Sequence, residues 1–279
     1  MQLQTINTGF FKLDGGAMFG VVPRVLWQKL EQPDENNLCT WAMRCLLLST
    51  DDGRRILIDT GIGNKQSQKF FSHYYLHGED SLHSSLAQVG LTADDITDVF
   101  LTHLHFDHVG GAVQYIERGA GGEKVLAPTF QNAKYWTNKA HYGWADKPNA
   151  RESASFLREN FAPLLDVLNY LPAQPHDQIL SWLPQMSVQF AYGHTEAMML
   201  PHLHINGRTV VYCADLLPSP SHLPLPYVMG YDVRPLQTLT EKEWFLNLAA
   251  ERDYVLFFEH APHIEACTLR RDEIGRAHV

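Results

Sequence analysis

Hydrophobic residues in the first half of the chain fall into short runs that are typical of β-strands and are separated by polar stretches. Apolar runs over residues 41–49 and 54–58 predict a β-hairpin whose second strand ends at Asp59. A third run over residues 96–102 predicts a buried strand that leads directly to His103. Two of these predicted strands therefore end at a residue that can bind a metal ion or orient one of its ligands.

Helical patterns are fewer than strand patterns. Residues 81–89 predict a helix that closes at Gly90, a residue suited to the left-handed conformation at a helix end. Residues 241–252 predict a second helix, with Thr240 as its N-cap and Glu243 completing a capping box. We therefore expect helices to interrupt the strand pattern in both halves.

The second half of the chain also alternates predicted strands with helices, which supports a single fold class for the whole sequence. Strands mixed with helices and hairpins indicate a layered α/β (α+β) protein with mixed sheets. No linker divides the sequence, so we expect one domain over residues 1–279. Residues 139–178 contain four prolines and are interpreted as a partly helical insertion that could cap a site. The strand-like runs of this half cover residues 186–192, 197–205, 208–214 and 254–259.

Composition and charge narrow the class of protein. A content of 45% hydrophobic and 19% charged residues excludes a disordered chain. With 22 basic and 31 acidic residues the net charge is −9, which argues against nucleic acid or an anionic membrane as partner. The sequence lacks a membrane-spanning apolar run, a signal-peptide pattern and paired cysteines, so we expect a cytoplasmic protein with reduced thiols.

The strongest chemical signal is the motif His103-x-His105-x-Asp107-His108, in a chain with 15 histidines. At the end of an extended strand, His103 and His105 face the same side because they are two residues apart. Asp107 and His108 follow on a turn that can fold back over the same point. This is too many ligands for one tetrahedral zinc ion with an open position, and it favours two adjacent metal ions. The alternative, a cluster of solvated or core histidines, would be costly to bury without metal.

Three more residues with ligand chemistry come just after predicted strands, where loops build sites on layered α/β folds. These are His194, Asp215 and His260, and the Asp215 carboxylate is placed to bridge two cations. Taken singly, each could be structural, and His263 is an alternative to His260. Asp59 has no histidine beside it in the sequence, so we assign it the task of orienting a ligating imidazole.

This set of residues resembles the metallo-β-lactamase-fold hydrolases. The resemblance implies a four-layer αβ/βα sandwich of two mixed β-sheets flanked by helices, with two divalent metal ions at one edge. Zinc fits a His/Asp ligand set best, although manganese, iron or cobalt would also fit. The implied division of ligands is His103, His105 and His194 on one metal, Asp107, His108 and His260 on the other, and Asp215 between them.

Residues 13–24, 57–64, 214–218 and 228–232 are similar to a narrower branch, the quorum-quenching N-acyl-homoserine lactonases. We therefore predict a hydrolase in which a hydroxide held between two metal ions opens a lactone or ester ring. Asp107 is predicted to be catalytic, because it can orient that nucleophile and pass its proton to the leaving alkoxide. The residues predicted to contact the substrate are His222, which matches a histidine of that branch, Tyr231 and Phe106.

One motif departs from the family pattern. The family usually continues its third motif as Gly-His-Thr/Ser-x-Gly-His, but this chain reads Gly-His-Thr-Glu-Ala-Met over residues 193–198. His194 is retained and the second Gly-His pair is lost. The surroundings of His194 and the adjacent pocket wall are therefore expected to differ from the family pattern.

Other functions stay open at this point. A phosphotriester or aryl-ester hydrolase could use the same metal pair, because the same nucleophile attacks phosphorus. A di-iron oxidoreductase of this fold would need a flavin domain, and none is recognisable in the sequence. A non-catalytic, metal-stabilised binding protein would usually have lost ligands. We expect a small-molecule substrate and no nucleic-acid or membrane partner, and a homodimer is compatible with the chain.

Overall fold

The computed structural model describes residues 1–118, 122–172, 178–271 and 277–278. The chain forms two compact units, each assembled from two stretches of sequence. Unit 1 consists of Met1–Phe10 with Met43–Ala173, and unit 2 consists of Phe11–Ala42 with Gln174–Val279. That all residues form one domain stays a prediction.

The described residues form strands and helices of very different lengths. The strands are β1 (Gln2–Asp14), β2 (Leu38–Ser49), β3 (Arg55–Ile58), β4 (Asp98–Phe100), β5 (Val113–Arg118), β6 (Glu123–Pro128), β7 (Lys134–Asn138), β8 (Leu168–Leu171), β9 (Gln178–Leu180), β10 (Leu183–Ala191), β11 (Met198–Ile205), β12 (Arg208–Tyr212), β13 (Val255–Phe257), β14 (Ala266–Thr268), β15 (Arg270–Arg271) and β16 (Ala277–His278). The helices are α1 (Gly15–Phe19), α2 (Arg24–Trp27), α3 (Gln68–Phe71), α4 (Leu82–Gln88), α5 (Phe106–Val109), α6 (Lys139–Asp146), α7 (Arg158–Phe161) and α8 (Pro235–Glu251).

The core of unit 1 forms around a mixed sheet. The strand order is β1-β2-β3-β4-β7-β8; β2 and β3 are antiparallel, and β3, β4, β7 and β8 run parallel. Buried Leu57 and Val99 lie side by side on β3 and β4, and Tyr135 continues the row on β7. These apolar runs are continuous because both faces of a parallel sheet are covered. The sheet therefore supplies a rigid base from which β4 leads to His103.

Unit 2 contains the second mixed sheet, with the strand order β14-β13-β12-β11-β10-β9. β12 and β13 are parallel and the other neighbours are antiparallel. The longest helix, α8, buries Thr238, Lys242, Phe245 and Ala249, whose spacing of three or four residues places them on one helical face. Asp215 follows β12, and His260 lies three residues after β13.

The predicted fold class is confirmed, because the protein combines two six-stranded mixed sheets with helices. Among the described helices, none has the length and apolar character needed to cross a bilayer. The helix predicted at residues 81–89 is confirmed as α4, which Ser81 caps in a reciprocal capping box with Ser84.

Two sequence expectations need correction. The helix predicted over residues 241–252 begins at Pro235, and Thr240 lies inside it with its hydroxyl bonded to the Leu236 carbonyl. Proline at the first helical position starts this helix, because its missing N–H is not needed there. The insertion at residues 139–178 is partly helical as predicted, but it also adds β8 to the sheet of unit 1; its residues 173–177 lie outside the described residues.

Candidate functional site

The predicted ligand residues of unit 1 lie together in a buried group. The ring centroid of His103 is 4.6 Å from that of His105 and 3.9 Å from that of His108. Asp107 is buried beside them, with its Oδ1 4.0 Å from His108 Nε2. β4 ends at Phe100, residues 101–105 form a loop, and α5 begins at Phe106, which places Asp107 and His108 in a turn beside the two earlier histidines. The structure therefore brings all four residues of the motif together.

Two glycines allow this turn to pack closely. A Cβ on Gly110 would overlap the backbone of Ile62, and a Cβ on Gly111 would overlap the carbonyl oxygen of Thr60. Thr60 in turn donates from its hydroxyl to the His108 carbonyl, at 2.8 Å. The Gly-Gly pair after the ligand motif is therefore needed for close approach of two backbone segments.

The carboxylate of Asp59 lies beside the imidazole of His108. Its carboxylate accepts hydrogen bonds from the backbone N–H of Thr102, at 2.8 Å, and from the Thr102 hydroxyl, at 2.6 Å. Oδ2 of Asp59 is also 3.1 Å from Nδ1 of His108. With Nδ1 donating to Asp59, the other ring nitrogen of His108 is left to act as a metal ligand.

Unit 2 contains a second group, in which one carboxylate lies between two imidazoles. Oδ2 of Asp215 is 3.0 Å from Nε2 of His194, and Oδ1 is 3.1 Å from Nε2 of His260. His260 is held from its far side, where Nδ1 donates to the Ala42 carbonyl at 2.8 Å. Each carboxylate oxygen therefore addresses a different ring. The alternative residue, His263, is exposed.

Asp232 also contacts this group, although its position in the sequence suggested no role of its own. Its Oδ1 accepts from Nδ1 of His194 at 2.8 Å, and the side chain is buried. Burial by itself lowers the pKa of His194, but the charges of Asp215 and Asp232 and their hydrogen bonds raise it to about 10. Two carboxylates next to one imidazole thus favour a positive charge at this position. The only signal in the sequence was that Asp232 ends one of the motifs similar to the lactonases.

The backbone before His194 is fixed by α8. Glu241 accepts hydrogen bonds from the backbone N–H groups of Tyr192, at 2.9 Å, and Gly193, at 3.0 Å. Gly193 packs so closely on the start of α8 that a Cβ would overlap the backbone nitrogen of Thr238. The helix therefore determines where β10 delivers His194.

The altered third motif has its own local structure. Glu196 forms an ion pair with Arg234, with 2.7 Å between Oε2 and the guanidinium. Ala197 stands where the family pattern has glycine, and its φ of 51° lies in the left-handed region. The chain therefore keeps the backbone conformation that favours glycine and places an alanine in it.

His222 is buried in unit 2, with 1% of its surface exposed. Its ring stacks on Phe19, with centroids 4.7 Å apart. Nε2 donates to the Met18 carbonyl at 2.9 Å, and Nδ1 is 2.9 Å from the Ser219 hydroxyl. Burial lowers the pKa of this imidazole to about 3, so the ring is neutral. Contact with a substrate stays a prediction for His222.

The other two predicted substrate contacts differ in exposure. Tyr231, in unit 2, is 38% exposed, whereas Phe106, in unit 1, is buried. Phe106 packs against Tyr74 and Phe70, with ring centroids 4.7 Å and 5.4 Å away. Burial, with a smaller contribution from Asp107, raises the pKa of the Tyr74 phenol to about 12. An aromatic cluster with a neutral hydroxyl thus adjoins Asp107.

The chemistry of both groups fits divalent metal ions. Each group consists of buried imidazoles and carboxylates, which are costly to bury without a compensating cation. His108 and His194 each donate from Nδ1 to a carboxylate, the arrangement that holds metal-ligating histidines in one tautomer and orientation. Nitrogen and carboxylate ligands of this kind suit zinc and other divalent transition metals.

Comparison with known proteins agrees with this chemistry. Residues 44–260 match the model of the metallo-beta-lactamase superfamily. The N-acyl homoserine lactonase AiiA of Bacillus thuringiensis subsp. kurstaki is 35% identical over 85 residues. That alignment covers 27% of this chain and 32% of AiiA, so it spans about a third of this relative's length.

Two solved structures share the fold. The crystal structure of a probable metal-dependent hydrolase from Staphylococcus aureus has a TM-score of 0.88 at 26% identity, covering 100% of this chain and 95% of that one. AidC, a dizinc quorum-quenching lactonase in complex with a product, has a TM-score of 0.76 at 20% identity, covering 98% and 92%. The family match over most of the sequence, with these likenesses, shows that the chain is a metallo-hydrolase of the metallo-β-lactamase superfamily.

Proposed function

We propose that this hydrolase opens the ester ring of N-acyl-homoserine lactones with the help of two divalent metal ions, zinc being the best fit. The observation that carries the proposal is the position of Asp215 between the Nε2 atoms of His194 and His260. A carboxylate whose two oxygens address two anchored imidazoles is suited to lie between two cations. The substrate class is that of the lactonases to which this chain is similar.

The proposed ligands are the seven residues of the two groups. The division between the metal ions is the one that the family resemblance implies: His103, His105 and His194 for one, Asp107, His108 and His260 for the other, and Asp215 for both. When bound, divalent metal ions lower the pKa of water toward neutrality and polarise a carbonyl oxygen.

Asp107 is the chain's own base, and then its acid, in this scheme. Its carboxylate is buried beside His108 and can accept the proton of the attacking water. Ring opening then needs a proton at the departing alkoxide oxygen, and Asp107 can return the one it has taken. Asp59 and Asp232 take no part in proton transfer. They hold His108 and His194 in the tautomer that metal binding requires.

The apolar surroundings of Asp107 support an acylated substrate. Phe106, Tyr74 and Phe70 form an aromatic cluster next to the catalytic carboxylate. Burying an acyl chain against such a surface is worth about 0.8 kcal/mol per methylene group. We therefore expect kcat/KM to rise with acyl length until the apolar surface is filled.

The test is a series of N-acyl-homoserine lactones from short to long chains, assayed by the acid released on ring opening. An aryl ester, a phosphotriester and a β-lactam serve as competing substrates. Hydrolysis of lactones with a rising chain-length series supports the proposal. If the phosphotriester reacts and no lactone does, the lactonase proposal fails and a phosphotriesterase takes its place.

The metal part is tested separately by elemental analysis and by Asp215→Asn. We expect two divalent metal ions per chain in active protein, and loss of at least one of them, with loss of activity, in the variant. Asp253→Asn, which removes one exposed carboxylate, is the matched control. One metal ion or none in fully active protein would contradict the dinuclear proposal.

Location and assembly complete the proposal. We propose that the protein acts in the cytoplasm on a diffusible small molecule, as its sequence led us to expect. Cell fractionation tests the location. Light scattering during size-exclusion chromatography decides between a monomer and the homodimer with which the chain is compatible.

A further inference from the structure

The insertion in unit 1 binds three consecutive residues of the ligand segment. Nε2 of His141 accepts from the backbone N–H of Leu104 at 2.8 Å, and the Ser155 carbonyl accepts from the N–H of Phe106 at 2.9 Å. Between these two contacts, Oε1 of Glu152 lies 3.6 Å from Nε2 of His105. The insertion therefore braces the ligand segment at residues 104–106.

Glu152 is the acidic member of this brace and its side chain is firmly held. Only 3% of its surface is exposed. Its Oε2 accepts from the indole N–H of Trp144 at 2.7 Å and from the side-chain amide of Asn149 at 2.6 Å. Both donors belong to the insertion itself. One carboxylate oxygen is thus fixed by two donors, and this directs the other oxygen toward His105.

We propose that Glu152 is a positioning residue for His105. A carboxylate facing Nε2 favours the tautomer with the proton on Nε2, which leaves Nδ1 of His105 to bind a metal ion. Asp59 and Asp232 instead face the Nδ1 atoms of their imidazoles. Glu152 therefore favours the other tautomer, with the proton on Nε2. This inference rests on the proposed role of His105 as a metal ligand.

The variant Glu152→Gln tests this because a glutamine cannot satisfy all of these partners. If its carbonyl oxygen accepts from Trp144 and Asn149, its amide group faces Nε2 of His105 and favours the opposite tautomer. If the amide is flipped, it meets the two donors instead. The flipped amide would keep the preferred tautomer of His105 only by placing its N–H groups against the two donors, so the first orientation is favoured and that tautomer loses its stabilising partner.

The experiment measures metal affinity by competition with a chromophoric chelator. We expect Glu152→Gln to bind zinc about 10- to 100-fold more weakly than wild type. Glu159→Gln, which removes an exposed carboxylate from the same insertion, is expected to bind as wild type does. Trp144→Phe removes one donor but keeps the carboxylate, and its loss of affinity should be smaller.

A second readout separates positioning from a general loss of structure. The visible spectrum of the cobalt-substituted protein reports the ligands directly, and we expect Glu152→Gln to change it while circular dichroism and the metal-free unfolding midpoint stay near those of wild type. An unchanged zinc affinity and cobalt spectrum would overturn the proposal. An affinity loss matched by an equal loss of metal-free stability would also overturn it, because Glu152 would then be only structural.

These measurements need no substrate, so their failure is distinguishable from failure of the proposed function. A protein that opens no lactone can still show the effect of Glu152 on metal binding. If wild type opens lactones and Glu152→Gln binds zinc as tightly as wild type does, the proposed function stands and only the role of Glu152 is refuted.

Discussion

Nδ1 of His194 donates to Oδ1 of Asp232 across 2.8 Å, although 38 residues separate the two along the chain. Nε2 of the same ring faces Asp215 at 3.0 Å. The imidazole is therefore held between a carboxylate that orients it and a carboxylate that is proposed to share its metal ion. This relationship makes Asp232 as much a part of the candidate site as the proposed ligands are.

The first prediction concerns Asp232. Replacing it in Asp232→Asn keeps the size of the side chain but removes the charge that stabilises a protonated Nδ1. We expect zinc affinity to fall about 10- to 100-fold, as for other partners of metal-ligating histidines. Chelator competition measures it, with the exposed Glu243→Gln as control. Equal affinities in all three proteins would show that Asp232 does not orient His194.

The second prediction concerns the altered third motif. Ala197 has a φ of 51°, a conformation that costs a non-glycine residue about 1 kcal/mol or more. Ala197→Gly should therefore raise the free energy of unfolding by up to about 1 kcal/mol, less what glycine adds to the entropy of the unfolded chain. Urea unfolding measures this. Ala249→Gly, in the interior of α8, should have the opposite effect. A destabilised Ala197→Gly protein would refute the strain at this position.

The third prediction uses two glycines with different surroundings. Gly193→Ala should destabilise the protein by about 1–3 kcal/mol, because the new methyl group would overlap the backbone of Thr238. Gly143→Ala has open space around it inside α6 and should stabilise the helix by about 0.5–1 kcal/mol. Thermal and urea unfolding of both variants test the contrast. If both variants changed the free energy of unfolding in the same direction, the close packing of Gly193 on α8 would not be the reason for glycine at this position.

The fourth prediction concerns pH. The folded-state pKa of His222 is about 3, whereas an unfolded histidine titrates near its ordinary value of 6.5. As the pH falls below about 6.5, His222 binds a proton in the unfolded chain but not in the folded protein. The free energy of unfolding therefore decreases. One such group contributes at most about 1.4 kcal/mol per pH unit.

His222→Gln removes this titration, so its stability should decline less steeply than that of wild type between pH 6 and about pH 4. Urea unfolding of the metal-free proteins across this range measures the two slopes, and the other histidines, common to both proteins, cancel in the comparison. His83→Gln, the same substitution at an exposed histidine, is the control variant. Parallel slopes for wild type and His222→Gln would show that the ring is protonated in the folded state.

Local patterns were sufficient for much of the fold. The hydrophobic runs before Asp59 and His103 form β3 and β4, and the Ser81 cap starts α4 as expected. The thirteen-residue strand β1 was not predicted, because its burial pattern does not alternate regularly between buried and exposed positions. The capping-box pattern at Thr240 predicts a start at residue 241, whereas α8 begins at Pro235.

The sequence by itself determined which types of side chain the candidate site offers to a metal ion. The motif offers two histidines followed at once by Asp107 and His108, and α5, which begins at Phe106, carries the latter two next to the former. The tertiary structure alone decided which carboxylate holds which imidazole. Glu152 reaches His105 through the folding of the insertion, and Asp232 reaches His194 at the start of α8. Such partners carry no spacing rule, because two side chains that are far apart in sequence meet only when the packing of whole elements brings them into hydrogen-bond range.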